Sequence, residues 1–172
     1  LDLQKLITGF APMGTAIMRT VPVVSSIENV PQTANYEQIS FWLDQAGDSI
    51  GVAVCQCRKL RAMQEEGTED LEGDWCVSLG HFAESCIRTG KARRITRKEA
   101  EEILLHAEEL GYVHQVSNID GPEFSLFICN CKWDSCMALK TSWYTNSPNL
   151  SSSNYRAHVD PQNCVACGGC VE

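Results

Sequence analysis

The sequence lacks long apolar runs and any excess of basic charge. Its 172 residues include 14 Lys and Arg against 22 Asp and Glu, which gives a formal net charge of −8 at pH 7. No stretch approaches the run of about 18 apolar residues that a membrane-spanning helix requires. Nucleic acids are bound by clustered Lys and Arg, and the one basic stretch, residues 91–98, leads directly into the acidic EAEE. We therefore predict neither a membrane span nor a nucleic-acid partner.

Other familiar signals are missing as well. The sequence shows no signal peptide with a basic n-region and an apolar h-region, so we expect a cytoplasmic protein. It contains no GxGxxG fingerprint, which places any flavin or nicotinamide on a partner or in missing sequence. Neither paired carboxylates nor a Cys–His dyad indicates chemistry on a substrate. The chain begins at Leu1 and ends two residues after Cys170, and we expect it to be a piece of a longer protein.

Cysteine, by contrast, is abundant, with ten residues in the chain. A disulfide framework is typical of small secreted proteins, whereas this chain has no export signal and is long enough to fold without such bonds. Scattered buried thiols rarely occur as doublets and triplets. The remaining interpretations are zinc, which prefers two separated CxxC pairs, and iron–sulfur clusters, which use closely spaced cysteines.

The C-terminal stretch NCVACGGCVE carries Cys164, Cys167 and Cys170 at three-residue spacing. A CxxCxxC loop wraps around one corner of a 4Fe–4S cube, and its three sulfurs reach three irons. Gly168 and Gly169 let backbone N–H groups approach the cluster and tolerate the positive φ that such a loop needs. The triplet therefore favours iron–sulfur over zinc. Its fourth ligand would lie in missing sequence or in the rest of the chain.

A second group of cysteines lies earlier in the chain, where two CxC doublets are predicted at the ends of strands. One 4Fe–4S cluster uses four thiolates, and we predict Cys57, Cys76, Cys131 and Cys136 as its ligands. Cys76 is predicted at the start of a helix, whose N–H groups favour an anionic sulfur. The two other sulfurs would lie beside this cluster or join another one. The candidates, called here the central cysteines, are Cys55, Cys57, Cys76, Cys129, Cys131 and Cys136.

Several residues near these cysteines can be interpreted as part of the fold or as part of a site. Cys86 is read as an ordinary buried thiol within a helix. His81 is either a surface or core histidine or, less in keeping with its setting, a ligand of the Rieske kind. Arg58 either offsets the negative charge of a cluster or forms a surface ion pair. The tryptophans near cysteines are expected to pack in the core and to shield a cluster from water; they are Trp75, Trp133 and Trp143.

The coarse pattern of the chain predicts an α+β fold in four segments. These are an extended arm over 1–33, a cysteine-bearing domain over 34–144, a polar linker over 145–154, and the start of a ferredoxin-like module over 155–172. Within the domain we first predict a helix over 36–47 capped by Asn35, a strand over 49–54 and a surface loop over 65–74. A helix over 78–89 follows. A second helix runs from a Thr96–Glu99 capping box to Gly111, and a hairpin around IDGPE comes next. A helix followed by a hairpin is similar to a winged-helix element.

Five stretches together resemble one known family: VAVCQCRK, WCVSLG, the long GKARRITRKEAEEILLHAEELGYVHQVSN, FICNC and AHVDPQNCVACGGCVE. The chain resembles, over roughly residues 20–172, the 4Fe–4S dicluster ferredoxin-like proteins of anaerobic bacteria. The resemblance implies electron transfer through one or two 4Fe–4S clusters, and it matches the central cysteines and the C-terminal triplet to the family's recurring cysteines. Lys132 and Met137 stand where the family often carries adjacent cysteines, which argues against a second cluster in the main domain.

The leading functional prediction is therefore an electron-transfer subunit or domain that passes electrons between a flavoprotein or other redox partner and an acceptor. The alternative from another class is a zinc-stabilised interaction or regulatory module without redox activity. A third possibility is a cluster with an open iron position that is itself catalytic.

Overall fold

The computed structural model describes residues 18–23, 38–64, 73–117, 125–145, 155 and 157–169. Six strands and five helices lie within these residues, which confirms the α+β class. In chain order they are β1 (Met18–Thr20), α1 (Ile39–Ala46), β2 (Ile50–Val54), α2 (Gln56–Gln64), β3 (Asp74–Leu79), α3 (Gly80–Arg88), β4 (Arg93–Arg94), α4 (Arg97–Glu109), β5 (Val113–Ser117), β6 (Phe127–Cys131) and α5 (Met137–Thr145). Among the described residues, no helix has both the length and the apolar character needed to cross a bilayer.

The strands form one sheet in the order β1-β5-β6-β3-β2-β4, and every neighbouring pair is antiparallel. The predicted hairpin is present as the β5–β6 pair, with Val116 opposite Ile128, while its predicted turn lies outside the described residues. Both strands are inner members of the sheet. The hairpin therefore belongs to the sheet itself and is not a projecting wing.

The main core lies on one face of the sheet, where α1 and α4 pack. Side chains alternate between the two faces along a strand, so that Val52, Val77, Val116 and Ile128 all face these helices. Helix α4 begins as predicted: the Thr96 hydroxyl accepts the Glu99 N–H at 3.2 Å, and the Glu99 carboxylate accepts the Thr96 N–H at 2.8 Å. This capping box fixes where the helix starts and sets its apolar stripe against the sheet.

The opposite face is shared between α3 and the cysteine-bearing elements. Helix α3 lies close to β2 because Gly51 has no side chain. A Cβ at this position would come within 2.9 Å of the Ser78 hydroxyl and 3.3 Å of Ile87. The Ser78 hydroxyl instead donates to the Gly51 carbonyl at 3.1 Å. The remainder of this face is left for the sulfur-bearing side chains.

Two predicted elements differ from the structure. Residues 74–79, partly assigned to a helix, form strand β3, which pairs with β2 on one side and β6 on the other; the helix begins only at Gly80. Trp75, Val77 and Leu79 are buried on one face, a period of two that fits a strand. The placement of Cys76 at a helix start was therefore wrong. Helix α2, directly after Cys55, was not predicted.

The other predicted elements fall close to their expected positions. Helix α1 begins at Ile39, and its N-cap is Gln38, whose side chain makes no capping hydrogen bond; the proposed cap Asn35 lies outside the described residues. Of the arm, residues 18–23 are described, and Met18–Thr20 pairs with β5 as an outer strand of the sheet. The loop over 65–74 is described only at its last two residues, and the linker only at Thr145.

Candidate functional site

The central cysteines come from four separate stretches of the chain and meet at one end of the sheet. Cys55 directly follows β2 and Cys57 lies in the first turn of α2. Cys76 belongs to β3, and Cys129 and Cys131 belong to β6. Cys136 is the last residue before α5. The sequence therefore brings distant thiols together through strand pairing.

Register places three of these sulfurs on the same face. Cys76 is directly opposite Cys129 on adjacent antiparallel strands, and directly opposed residues point to the same side of a sheet. Cys131 lies two residues further along β6 and shares that side. The alternate residues of β6, Ile128 and Asn130, point to the opposite face and are buried there.

The six thiols form a continuous series of neighbours. Cys76 lies beside Cys129, which lies beside Cys131, and Cys131 lies beside Cys136. Cys136 lies in turn beside Cys57, and Cys57 beside Cys55. Five of the six line one cavity of about 320 Å³. Cys76 is the exception and reaches the others through Cys129. The cavity and its neighbour Cys76 thus bring together the cysteines that the sequence singled out.

Two helices direct their N-termini at the sulfurs. Cys136 precedes α5 and accepts hydrogen bonds from the thiols of Cys131 and Cys57 and from the backbone N–H groups of Leu139 and Ala138, which together lower its pKa to about 3. The backbone N–H groups at the start of α2 act on Cys55 in the same sense. Helix N-termini stabilise anionic sulfur. The structure therefore favours at least one thiolate in this group.

The other central thiols are held in their neutral form. The neighbouring Cys57 thiol and then burial raise the pKa of Cys55, and the Cys129 thiol and burial raise the pKa of Cys76. The pKa values of Cys57, Cys129 and Cys131 are also raised. Closely packed thiols cannot all ionise, because each new negative charge repels the next. A bound cation or cationic cluster would remove this constraint.

A buried cation lies at the edge of the same site. Arg58 is only 4% exposed, which is incompatible with the surface ion pair considered from the sequence. Its guanidinium stacks against the rings of Tyr112 and Trp75, at 4.4 and 4.9 Å from their centroids, and it donates to the Asn130 carbonyl at 3.2 Å. Arg58 also lines the cavity. A fixed positive charge beside thiolates stabilises their negative charge.

Sequence reasoning missed a buried polar chain on the core side of β5 and β6. His114 Nδ1 lies 2.7 Å from Asn130 Oδ1, and its Nε2 lies 3.2 Å from Glu108 Oε1. Asn130 Nδ2 donates to the Trp75 carbonyl at 3.1 Å. The amide orientation makes Oδ1 an acceptor, so His114 Nδ1 carries a hydrogen. The GYVH stretch gave no direct signal of this, because neither the strand pairing nor the burial of His114 could be read from it.

The other residues singled out from the sequence lie apart from the sulfurs or beside them. His81 is exposed at the start of α3 and lines a different cavity. Cys86, on the same helix, is half-buried. Trp75 is buried in agreement with its predicted core role, whereas Trp133 and Trp143 are exposed and contact each other edge to face at 5.7 Å. The latter two are therefore not core residues.

Of the C-terminal triplet, Cys164 and Cys167 belong to the described residues, and Cys170 lies outside them. Both described thiols are exposed. The Ala166 N–H donates to Cys164 Sγ at 3.4 Å, and both Ala166 and Gly168 have positive φ, 52° and 83°. Gly169 does not adopt this conformation. The backbone of this loop thus curves around the Cys164 sulfur, and Gly168 alone of the two glycines has the predicted positive φ.

The cysteines do not form a site for one metal ion. In the described part of the chain, no three Cys, His, Asp or Glu side chains converge closely enough to hold a single ion. One zinc ion needs four ligands at about 2.0–2.3 Å from a single point, and the thiols are not arranged in this way. A cluster of several irons spreads its thiolates around a larger volume. The donor set, five thiols around one cavity with Cys76 beside Cys129, is compatible with such a cluster rather than with one preformed zinc site.

Comparisons of this chain with protein-family models, with curated proteins and with solved structures find no match. The resemblance to ferredoxin-like proteins therefore stays a prediction.

Proposed function

We propose that the central cysteines hold one iron–sulfur cluster and that the chain relays single electrons between redox proteins. The observation that carries this proposal is the convergence of the central cysteines, from four separate stretches, on one cavity. Thiols packed this closely cannot all ionise without repelling one another, and the pKa values of five of the six are raised. A bound iron–sulfur core would accept its ligand sulfurs as thiolates and so stabilise their ionised form.

The cavity also supports a choice among the possible ligands. Cys57, Cys131 and Cys136 line it, and all three belong to the set predicted from the sequence. The cavity excludes Cys76 as the fourth ligand and leaves Cys55 and Cys129, which both line it. We assign Cys55, because backbone N–H groups at the start of α2 stabilise its anionic sulfur. Cys76 and Cys129 would then lie beside the cluster as neutral thiols.

The cluster would supply a group that accepts and releases one electron. The chain's own residues would set the conditions for this transfer. The Arg58 guanidinium and the N-termini of α2 and α5 place positive charge beside the sulfurs, and positive charge favours the more negative, reduced state. Met18 and Phe127 line the cavity with apolar atoms and limit the access of water.

The C-terminal triplet would contribute to a further cluster of the same type. The exposed Cys164 and Cys167 and the positive φ of Ala166 and Gly168 support this proposal, because a backbone curved in this way directs N–H groups toward anionic sulfur. Two clusters would form a pathway along which electrons move between partners, and the flavin would belong to one of those partners.

Anaerobic reconstitution followed by iron and sulfide analysis tests the proposal. We expect about four irons and four sulfides per chain for one cubane, or about eight for two, together with an EPR signal after dithionite reduction. A colourless protein that contains zinc and no sulfide would contradict the proposal and favour the zinc-stabilised interaction module.

Single Cys→Ser variants identify the ligands. We expect Cys131→Ser and Cys136→Ser to lose about four irons per chain relative to the wild type. Cys55→Ser is expected to do the same, whereas Cys76→Ser should retain the iron. Cys86→Ser is the matched control, since it makes the same change on α3 outside the cavity. Full iron content in Cys131→Ser would show that the assignment is wrong.

A further inference from the structure

Several large apolar side chains are exposed on the elements that border the sulfur cavity. Half of the large apolar side chains that are exposed in the described part of the chain lie on α2, on α5 or on the loop between β6 and α5. Trp143 and Tyr144 are 71% and 76% exposed, and Met63 is 78% exposed. Trp133 and Trp143 contact each other edge to face, and exposed apolar groups that lie together mark sites of interaction with other proteins. The full set is Leu60, Met63, Trp133, Met137, Trp143 and Tyr144.

The two helices meet at the sulfurs. The Cys57 sulfur in the first turn of α2 accepts a hydrogen bond from the backbone N–H of Met137, the first residue of α5. Met137 and Ala138 also line the cavity. We call the exposed surface of α2, the 132–136 loop and α5 the thiol face. A partner bound to the thiol face would lie within a short distance of the sulfurs.

The thiol face differs in charge from the protein as a whole. Residues 56–64 and 131–145 contain five Lys and Arg and one Asp, whereas the whole chain contains 14 Lys and Arg and 22 Asp and Glu. Arg58 is buried, but Lys59 is exposed and Lys140 is half-exposed. Within the described residues neither lysine makes a side-chain ion pair, and Lys132 lies 3.2 Å from Asp134. The stretches 56–64 and 131–145 thus carry a net positive charge in an acidic protein, and Lys59 and Lys140 are the lysines available to a partner there.

We propose that the thiol face docks an acidic electron-transfer protein, whose carboxylates contact the Lys59 and Lys140 side of the face and whose redox group lies over the exposed aromatic side chains. Two acidic proteins repel each other at long range, and a local basic face then selects one relative orientation. Exposed Trp and Tyr supply contact area at low cost in conformational entropy. The purpose of docking follows from the proposed electron relay, but the binding itself does not require a cluster.

A small acidic flavodoxin serves as the probe, and its dissociation constant is measured by calorimetry at low and physiological salt. The test variant is the double change Lys59→Glu and Lys140→Glu. The control is Lys91→Glu and Lys98→Glu, which alters the net charge equally at exposed positions on α4 and on the turn after α3. We expect about tenfold weaker binding for the test variant at low salt and less than twofold for the control.

The apolar part is tested in the same assay. Trp143→Ala should weaken flavodoxin binding several-fold, whereas Leu105→Ala, an exposed apolar residue on α4, should not. Urea midpoints of all variants show whether each remains folded. Equal losses in the two charge variants, or no loss in either, would overturn the proposal.

Two further outcomes distinguish docking of a partner from the cluster proposal and from occupation of the thiol face by the chain's own acidic stretch. If the chain carries no iron yet still binds flavodoxin in a manner sensitive to Lys59 and Lys140, the docking face stands and the cluster proposal fails. If replacing the acidic residues between positions 65 and 72 by amides tightened flavodoxin binding much more, per charge removed, than the same change at the exposed Glu101, Glu102 and Glu109, the chain's own acidic stretch would compete for the face. The proposed occupant would then be wrong.

Discussion

The buried amide of Asn130 offers a direct test of the architecture beneath the sulfurs. Asn130 is 1% exposed; its Oδ1 accepts from His114 Nδ1 at 2.7 Å, and its Nδ2 donates to the Trp75 carbonyl at 3.1 Å. The substitution Asn130→Ala removes both partners at once. The His114 N–H and the Trp75 carbonyl are then left buried without these hydrogen bonds.

A buried polar group that loses its partner costs about 1–3 kcal/mol. Two such groups give an expected loss of about 2–5 kcal/mol in the free energy of unfolding, because the two effects overlap in one site. The loss is measured by urea denaturation of the metal-free protein, in which cluster binding does not contribute. The matched control is Asn163→Ala. Asn163 also donates from its side chain, to Asp160 at 2.6 Å, but it is exposed.

For the control we expect a change below about 0.5 kcal/mol. A loss below about 1 kcal/mol in Asn130→Ala would refute the reasoning, since it would mean that water or a rearranged side chain satisfies both groups. An unchanged denaturant slope in both variants is needed for this comparison, because a changed slope would indicate an altered unfolded state.

Two further predictions concern stability. The neighbouring thiols and then burial raise the pKa of Cys55 and Cys76, so these groups keep their protons when the protein is folded and lose them above about pH 8.5 when it is unfolded. The metal-free protein should therefore lose stability as the pH rises through that value, as urea midpoints at several pH values will show; a constant midpoint would contradict this. Thr96→Ala removes the N-cap of α4 and should cost about 1 kcal/mol in the same assay, whereas Thr145→Ala should cost much less.

Much of the fold was accessible from local sequence patterns. The Thr96–Glu99 capping box and the apolar stripe predicted α4, and the short β-branched run predicted β2. The β5–β6 hairpin was predicted from two strand-like runs on either side of a turn. These elements are specified by residues close together in the chain, and such signals can be read without knowledge of tertiary contacts.

The errors arose where tertiary contacts decide the structure. Strand β3 directly precedes a helix, and its pairing with two other strands makes residues 74–79 a strand despite the nearby helix signal. Helix α2 has few apolar residues, and its start is fixed by its position at the end of β2 rather than by a recognisable cap.

The candidate site was predicted as a set of residues but not as an arrangement. The cysteine spacing identified the central cysteines, whereas their order around the cavity depends on the register that places Cys76 opposite Cys129. The burial of Arg58 was equally inaccessible, because it depends on Tyr112 and Trp75 meeting at the end of the sheet. Strand register is determined by the folded sheet and leaves no mark in the spacing of cysteines.

Strand β1 ties a distant part of the chain to the sulfur cavity. Met18 is 7% exposed and forms part of the cavity wall, and Gln115 Nε2 of β5 donates to the Thr20 hydroxyl at 3.5 Å. A strand that carries no cysteine thus supplies part of the enclosure around side chains contributed by residues 55 to 136. Removal of β1 would open the cavity on that side.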